Sequence, residues 1–183
     1  MNEKIDQGEL PFNDEVDFDK LCQSEAHYAV SLNPSYFTRL SEQAIKISTP
    51  IDADFRFYYD MQGLRTIEGS ISCGVTLMCE RCNRPFDTRI EASFKSTCDE
   101  KKALSLRLVD KLDLVPLNEH GMFELKDYLE DCLLLEIPIA PVHVDTSVCG
   151  LGDEYVHVYG SIPQEECANP FIALKALKGK IKS

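Results

Sequence analysis

The strongest pattern in the chain is an alternation of apolar and polar residues over two consecutive stretches. From Leu64 to Met78 the odd-numbered positions are mainly apolar, and the positions between them are mainly polar. From Phe86 to Lys95 the same alternation continues on the even-numbered positions. A period of two is typical of strands that bury one face of a sheet. The two stretches predict a long antiparallel hairpin, with Cys79-Glu80-Arg81-Cys82 in the turn at its tip.

Other strands are predicted on either side of this hairpin. Ile51 to Tyr59 is rich in aromatic residues and leads into a turn at Met61-Gln62-Gly63. Tyr28 to Leu32 can form a short strand, and Leu112 to Leu117 could add another. We therefore expect an antiparallel sheet, which could curve into a barrel-like shape.

Helical signals lie outside the hairpin. Apolar residues recur at i, i+3, i+4 and i+7 from Leu125 until Pro138 ends the pattern, which predicts an amphipathic helix packed on the sheet. Its acids Asp127, Glu130 and Asp131 are assigned to the outer face as solubilising charge. Asn33-Pro34 and Asn169-Pro170 each begin a short helix, with Asn as the N-cap. These elements together predict an α+β fold with short terminal helices.

Charge is distributed unevenly along the 183 residues, whose formal net charge is -12 at pH 7. This excess of acids argues against a surface that binds nucleic acid over its whole extent. Residues 1–25 contain eight acids and two lysines, so we expect a mobile segment with a few apolar residues able to dock. Residues 26–183 are expected to form one domain. Its end is basic, with no acid after Glu166 and with Lys175, Lys178, Lys180 and Lys182.

The expected location is the cytoplasm. No stretch has the roughly 20 consecutive apolar residues of a membrane-spanning helix, and the acidic start lacks the apolar core of a signal peptide. In a reducing compartment the eight cysteines are expected to be free thiols, metal ligands or redox groups. A disulfide framework is therefore not expected.

The spacing of Cys79 and Cys82 suits two thiolates on one tetrahedral zinc ion. His143 and Cys149, in the loop after the amphipathic helix, are candidates for the other two ligands of a structural Cys3His site. Two other interpretations stay open: both cysteines could be reduced turn residues, or they could form a redox pair. A thioredoxin-like pair would begin a helix after a strand, whereas here a second strand follows.

Enzyme signatures are absent from the chain. We find no nucleophile elbow, HExxH metalloprotease motif, phosphate-binding P-loop or dinucleotide-binding glycine motif. No catalytic residue is therefore assigned, and we expect neither a small-molecule substrate nor a membrane partner.

The run Leu77-Met78-Cys79-Glu80-Arg81-Cys82-Asn83-Arg84-Pro85-Phe86 resembles the YceD family, the large ribosomal RNA subunit accumulation proteins of bacteria. Segments at 115–121, 130–143 and 169–174 follow in the family's order. The resemblance implies a non-enzymatic factor in synthesis, processing or stability of large-subunit (23S) ribosomal RNA.

The expected partner is a ribosomal protein or an rRNA precursor. We assign partner binding to two groups of residues: Arg81 and Arg84 at the tip, and Asn169, Pro170 and Phe171 near the end. The alternative function is a cytosolic thiol-disulfide oxidoreductase that uses Cys79 and Cys82. Many members of the family have a second cysteine cluster after the helix, of which this chain keeps only Cys149-Gly150-Leu151.

Overall fold

A computed structural model describes residues 12–108 and 112–149. In the described residues, the chain forms a mixed α+β fold with one large sheet, one two-stranded sheet and several helices. The elements in chain order are β1 (Glu15–Val16), α1 (Phe18–Gln23), β2 (His27–Leu32), α2 (Thr38–Gln43), β3 (Lys46–Ile47), β4 (Ile51–Tyr59), β5 (Arg65–Met78), β6 (Pro85–Thr97), α3 (Glu100–Ser105), β7 (Asp113–Leu114), β8 (Phe123–Glu124) and α4 (Leu125–Leu135).

The large sheet is built around the antiparallel pair β5 and β6, which are joined by the turn at residues 79–84. Its strand order is β2-β4-β5-β6-β7, and β3 also pairs with β5. All pairings are antiparallel except that of β6 with β7. Within the described residues the sheet does not close, so the expected barrel-like shape is wrong. Closure would require β2 to pair with β7, but β7 has two residues, and among the described strands it pairs with β6 alone.

The alternation along the hairpin places one face of the sheet in the core. Ile67, Ile71 and Val75 of β5 are at most 1% exposed, while α1 and α4 cover this face. Gly69 lies on it where the neighbouring strand approaches closely, because a methyl group there would come within 2.5 Å of Phe55 Cβ. A side chain at residue 69 would therefore force β4 and β5 apart.

The N-terminal segment contributes to the core through its described part. Phe12 and Val16 are buried, and the Phe18 ring packs edge-on against Phe57 with centroids 5.2 Å apart. These residues are among the apolar positions through which the acidic segment was expected to dock. The division of the chain at residue 25 stays a prediction. The predicted helix at Asn169-Pro170 lies outside the described residues.

Helix α4 differs from its sequence pattern in one respect. Glu130, assigned to the solvent face, is 1% exposed. Its carboxylate accepts a hydrogen bond from the backbone N–H of Leu40 at 2.9 Å and one from Arg39 Nε at 3.0 Å. Arg39 also pairs with Asp131 at 2.6 Å. A long-range ion pair to α2 therefore makes burial of this acid possible.

No helix in the described part of the chain is both long enough and apolar enough to cross a bilayer.

Arg39→Met is expected to lower the free energy of unfolding by about 2–4 kcal/mol, because it leaves the Glu130 carboxylate buried without its cation. The range in the expected loss of stability allows for the half-exposed guanidinium of Arg39, whose attraction to Glu130 is partly screened by water. Urea unfolding at neutral pH measures the change. The control is Asp127→Asn, which weakens an exposed 3.8 Å pair with the same arginine and should cost less than about 1 kcal/mol. Equal effects of the two substitutions would contradict a special role for the buried pair.

Candidate metal centre

The turn between β5 and β6 holds the first two cysteines in one tight loop. The backbone N–H of Cys79 donates to Arg84 O at 2.9 Å, and the N–H of Asn83 donates to Cys79 O at 2.8 Å. Asn83 has a φ of 52°, in the left-handed region that Asn tolerates better than most residues. This geometry brings the chain back on itself, so the side chains of Cys79 and Cys82 point to one site.

The loop after α4 returns to the same tip. The N–H of Glu80 donates to Pro141 O at 2.8 Å, which links the turn to this loop through the backbone. The ring of His143 lies on that of Phe86, with centroids 4.8 Å apart. Cys149 ends a single 3-10 turn, Thr146–Cys149, and is buried. These contacts bring the two predicted halves of the site together.

The four candidate ligand atoms lie within 4.8 Å of one another. Cys79 Sγ and Cys149 Sγ are 4.0 Å apart, and His143 Nδ1 is 3.5 Å from Cys82 Sγ and 3.4 Å from Cys149 Sγ. A tetrahedral zinc ion with ordinary bond lengths requires about 3.8 Å between sulfurs and about 3.6 Å between sulfur and nitrogen. The donor set and its spacing could therefore hold a metal ion.

The electrostatics of the cluster favour a negatively charged sulfur at Cys79. Burial opposes ionisation, but hydrogen bonds from the backbone of His143 and Cys82 outweigh it and lower the pKa of the Cys79 thiol to about 5. Burial and the hydrogen bond with Cys79 raise the pKa of Cys82. Arg81 Nη1 lies 3.8 Å from Cys149 Sγ and adds positive charge. Full ionisation of three such close thiols would require a cation between them.

The other described cysteines form no such cluster. Burial raises the pKa of Cys22 to about 12 and the pKa values of Cys73, Cys98 and Cys132 to about 11. These thiols stay neutral at physiological pH and serve as small apolar groups.

The oxidoreductase alternative finds no support in this arrangement. The pair Cys79 and Cys82 is followed by strand β6 rather than by a helix, and Cys79 is completely buried. Both sulfurs also belong to one cluster with the ligand atoms of His143 and Cys149. Exchange with a partner's disulfide requires access to the attacking thiolate, which Cys79 lacks.

The predicted partner-binding residues are only partly described. Arg81 and Arg84 lie exposed on the turn, beside the cysteine cluster. Asn169, Pro170 and Phe171 lie outside the described residues. Sequence reasoning missed Phe86 and Pro141 as residues that position the cluster, because each acts through a contact between distant segments. The sequence Arg84-Pro85-Phe86 contains no local signal for the ring contact with His143.

A family model described as "Large ribosomal RNA subunit accumulation protein YceD" matches residues 67–178, more than half of the chain. The match begins in β5 and includes the turn, β6, α4 and the loop that follows. A curated protein of Haemophilus influenzae with the same description is 28% identical over 167 residues, which are 90% of this chain and 95% of that protein. No solved structure matches the chain significantly.

Asn83→Val is expected to lower the free energy of unfolding by about 1–2 kcal/mol, because a β-branched residue is strained at this positive φ. Urea unfolding in the presence of a chelator isolates the effect on the turn itself. Asn83→Gly serves as the matched control and should change stability by less than about 0.5 kcal/mol, since glycine adopts this conformation freely. If the Asn83→Val variant were as stable as the Asn83→Gly variant, the described turn conformation would be incorrect.

Proposed function

The chain belongs to the YceD family of large ribosomal RNA subunit accumulation proteins, and we propose from this membership that it promotes accumulation of large-subunit (23S) ribosomal RNA. The proposed role is that of a non-enzymatic ribosome-biogenesis factor acting in the cytoplasm on synthesis, processing or stability of this RNA. The observation that carries the proposal is the family match across the hairpin, α4 and the segment after it.

The proposed partner is a ribosomal protein or a large-subunit rRNA precursor. An acidic body with a net charge of -12 suits a basic ribosomal protein, and attraction between opposite charges would speed their encounter. Arg81 and Arg84, exposed on the turn, are proposed to contact the partner together with the segment Asn169, Pro170 and Phe171. Binding of this kind should weaken as salt concentration rises.

We further propose that Cys79, Cys82, His143 and Cys149 bind one structural zinc ion. Three sulfurs and one imidazole nitrogen are a typical zinc donor set, and the distances between them suit tetrahedral coordination. Four protein ligands leave no open position for a reacting water molecule, so the proposed ion has a structural role. It would hold the loop after α4 against the turn that carries Arg81 and Arg84.

Untagged protein purified without chelator is expected to contain one zinc ion per chain by elemental analysis. Cys79→Ser should remove the metal and lower Tm by roughly 5–10 °C, the effect of losing about 2–3 kcal/mol in a chain of this size. Chelator should lower the Tm of the parent protein and leave that of the variant unchanged.

Cys98→Ser is the control for this experiment, because it makes the same chemical change at a thiol outside the cluster. It should retain the metal. Metal-free parent protein, or equal metal content in both variants, would contradict the proposed site.

Capture of the full chain from lysate at low salt is expected to enrich large-subunit rRNA precursors or a ribosomal protein. The double variant Arg81→Gln/Arg84→Gln should bind roughly tenfold more weakly, because the hydrogen bonds that the two guanidinium groups donate are lost from the proposed contact. Quantitative RNA sequencing and mass spectrometry of the captured material provide the measurement.

Lys101→Gln is the control, since it removes an exposed positive charge from α3. It should leave capture unchanged. The proposal fails if the parent protein recovers neither class of molecule. An equal loss in the control and in the double variant would show that net charge, rather than the turn, determines binding.

A further inference from the structure

The side chain of Arg81 contacts a sulfur atom rather than a carboxylate. Its Nη1 lies 3.8 Å from Cys149 Sγ, and among the described residues it forms no ion pair. Arg39, Arg56 and Arg65, by contrast, each pair with a carboxylate. The chain has 31 acids against 19 lysines and arginines, so a shortage of carboxylates does not explain this contact.

The acids on the same turn and on the neighbouring loop do not engage this guanidinium. Asp87 accepts a hydrogen bond from a threonine hydroxyl of β5 at 2.6 Å, and Asp145 accepts one from a backbone N–H of its own loop at 2.8 Å. Glu80 precedes Arg81 and is exposed, but no ion pair joins the two residues in the described structure. The sulfur of Cys149 is therefore the described partner of the Arg81 side chain.

This contact joins the two halves of the cysteine and histidine cluster. Arg81 lies between Cys79 and Cys82 on the turn, whereas Cys149 follows it by 68 residues and ends a 3-10 turn. Cys79 and Cys149 are at most 1% exposed, while Arg81 is an exposed residue. An exposed cation from the first half therefore reaches a buried sulfur of the second half.

A metal ion in this cluster would leave a charge to be compensated. Cysteines that bind zinc do so as thiolates, and a histidine ligand is neutral. Three thiolates and one divalent cation therefore carry a net negative charge. Burial of such a charge is costly unless a cation and a hydrogen-bond donor face it. A guanidinium supplies both, and its hydrogen bonds to anionic acceptors are among the strong ones in proteins.

We propose that Arg81 neutralises the zinc-loaded cluster by donating a charge-assisted hydrogen bond to the thiolate of Cys149. The inference rests on the zinc site proposed above and adds to it a residue that does not itself bind the metal. Arg81 is a positioning residue that acts through Cys149, because the bond orients this sulfur and holds the second half of the cluster against the turn.

The proposal gives the two arginines of the turn different roles. The side chain of Arg84 forms no hydrogen bond or ion pair in the described structure, so its charge is free for the proposed partner. Arg81 is engaged by the cluster through Nη1, and its other N–H groups stay available for the same partner.

Zinc affinity of the full chain, measured by competition with a chromophoric chelator, tests the proposal. Arg81→Gln is expected to raise the Kd for zinc roughly tenfold, because the hydrogen bond and the compensating charge are both lost. Arg84→Gln makes the same change on the same turn and should leave the Kd within about twofold, since its exposed charge is screened by solvent. The measurement uses the isolated chain, so the proposed contact of Arg84 with a partner does not enter.

Cobalt(II) in place of zinc provides a spectroscopic readout of the sulfur itself. Removal of an N–H donor leaves a thiolate more electron-rich, which lowers the energy of its charge-transfer band to the metal. The band of Arg81→Gln should therefore lie at longer wavelength than that of the parent protein, and the band of Arg84→Gln should not move. A purely structural role of Arg81 in the turn would not produce this difference.

Urea unfolding in the presence of chelator separates metal binding from folding. Metal-free Arg81→Gln is expected to unfold at the same urea concentration as the metal-free parent, because the guanidinium has no carboxylate partner in the described structure.

Four results would overturn the inference. An unchanged Kd and an unmoved cobalt band in Arg81→Gln would show that the bond to Cys149 is absent from the loaded site. Equal weakening in Arg81→Gln and Arg84→Gln would assign the effect to the net charge of the turn. Loss of stability in metal-free Arg81→Gln would assign it to folding. A parent protein that binds no zinc would remove the proposed metal site itself, and the inference with it.

Discussion

The antiparallel register of β5 and β6 is the constraint on which the described structure depends. Thr66 pairs with Thr97 at one end, and Met78 pairs with Pro85 at the other, without interruption between them. Because side chains alternate across a strand, a slip of one residue would turn the apolar set of β5 toward solvent. The same register leaves six residues for the turn at 79–84 and so determines where the thiols of Cys79 and Cys82 lie.

The second constraint is the long-range contact of the loop after α4 with this turn. The bond from Glu80 N–H to Pro141 O and the contact of His143 with Phe86 join segments about 60 residues apart. Closing such a loop costs entropy, which a shared metal ion would offset. In the proposed function, the cluster therefore serves to hold Arg81 and Arg84 in a defined position rather than to perform chemistry.

Acidic residues have more than one role in this protein. Glu130 is buried and joins α4 to α2 through Arg39, whereas Glu42 and Glu136 form no ion pair among the described residues. The acidic residues that give the chain its net charge of -12 therefore do more than keep it soluble. Part of this charge stabilises the packing of α4 against α2.

The sequence by itself was sufficient for the features that depend on local periodicity and residue type. The apolar–polar alternation from Leu64 to Met78 predicted the main hairpin, and the helical repeat of apolar residues from Leu125 predicted the amphipathic helix. Motif spacing and chemistry also identified all four members of the cysteine and histidine cluster. These features are predictable because strand and helix periods are properties of neighbouring residues.

Only the tertiary structure decided the features that join distant segments. The sequence does not show that the sheet stays open within residues 12–108 and 112–149, that β7 pairs in parallel with β6, or that Glu130 is buried. Nor does it show that Cys82 and His143, 61 residues apart, come within 3.5 Å. Each of these depends on which surfaces meet after the chain has folded back, and periodicity carries no information about that choice of partner.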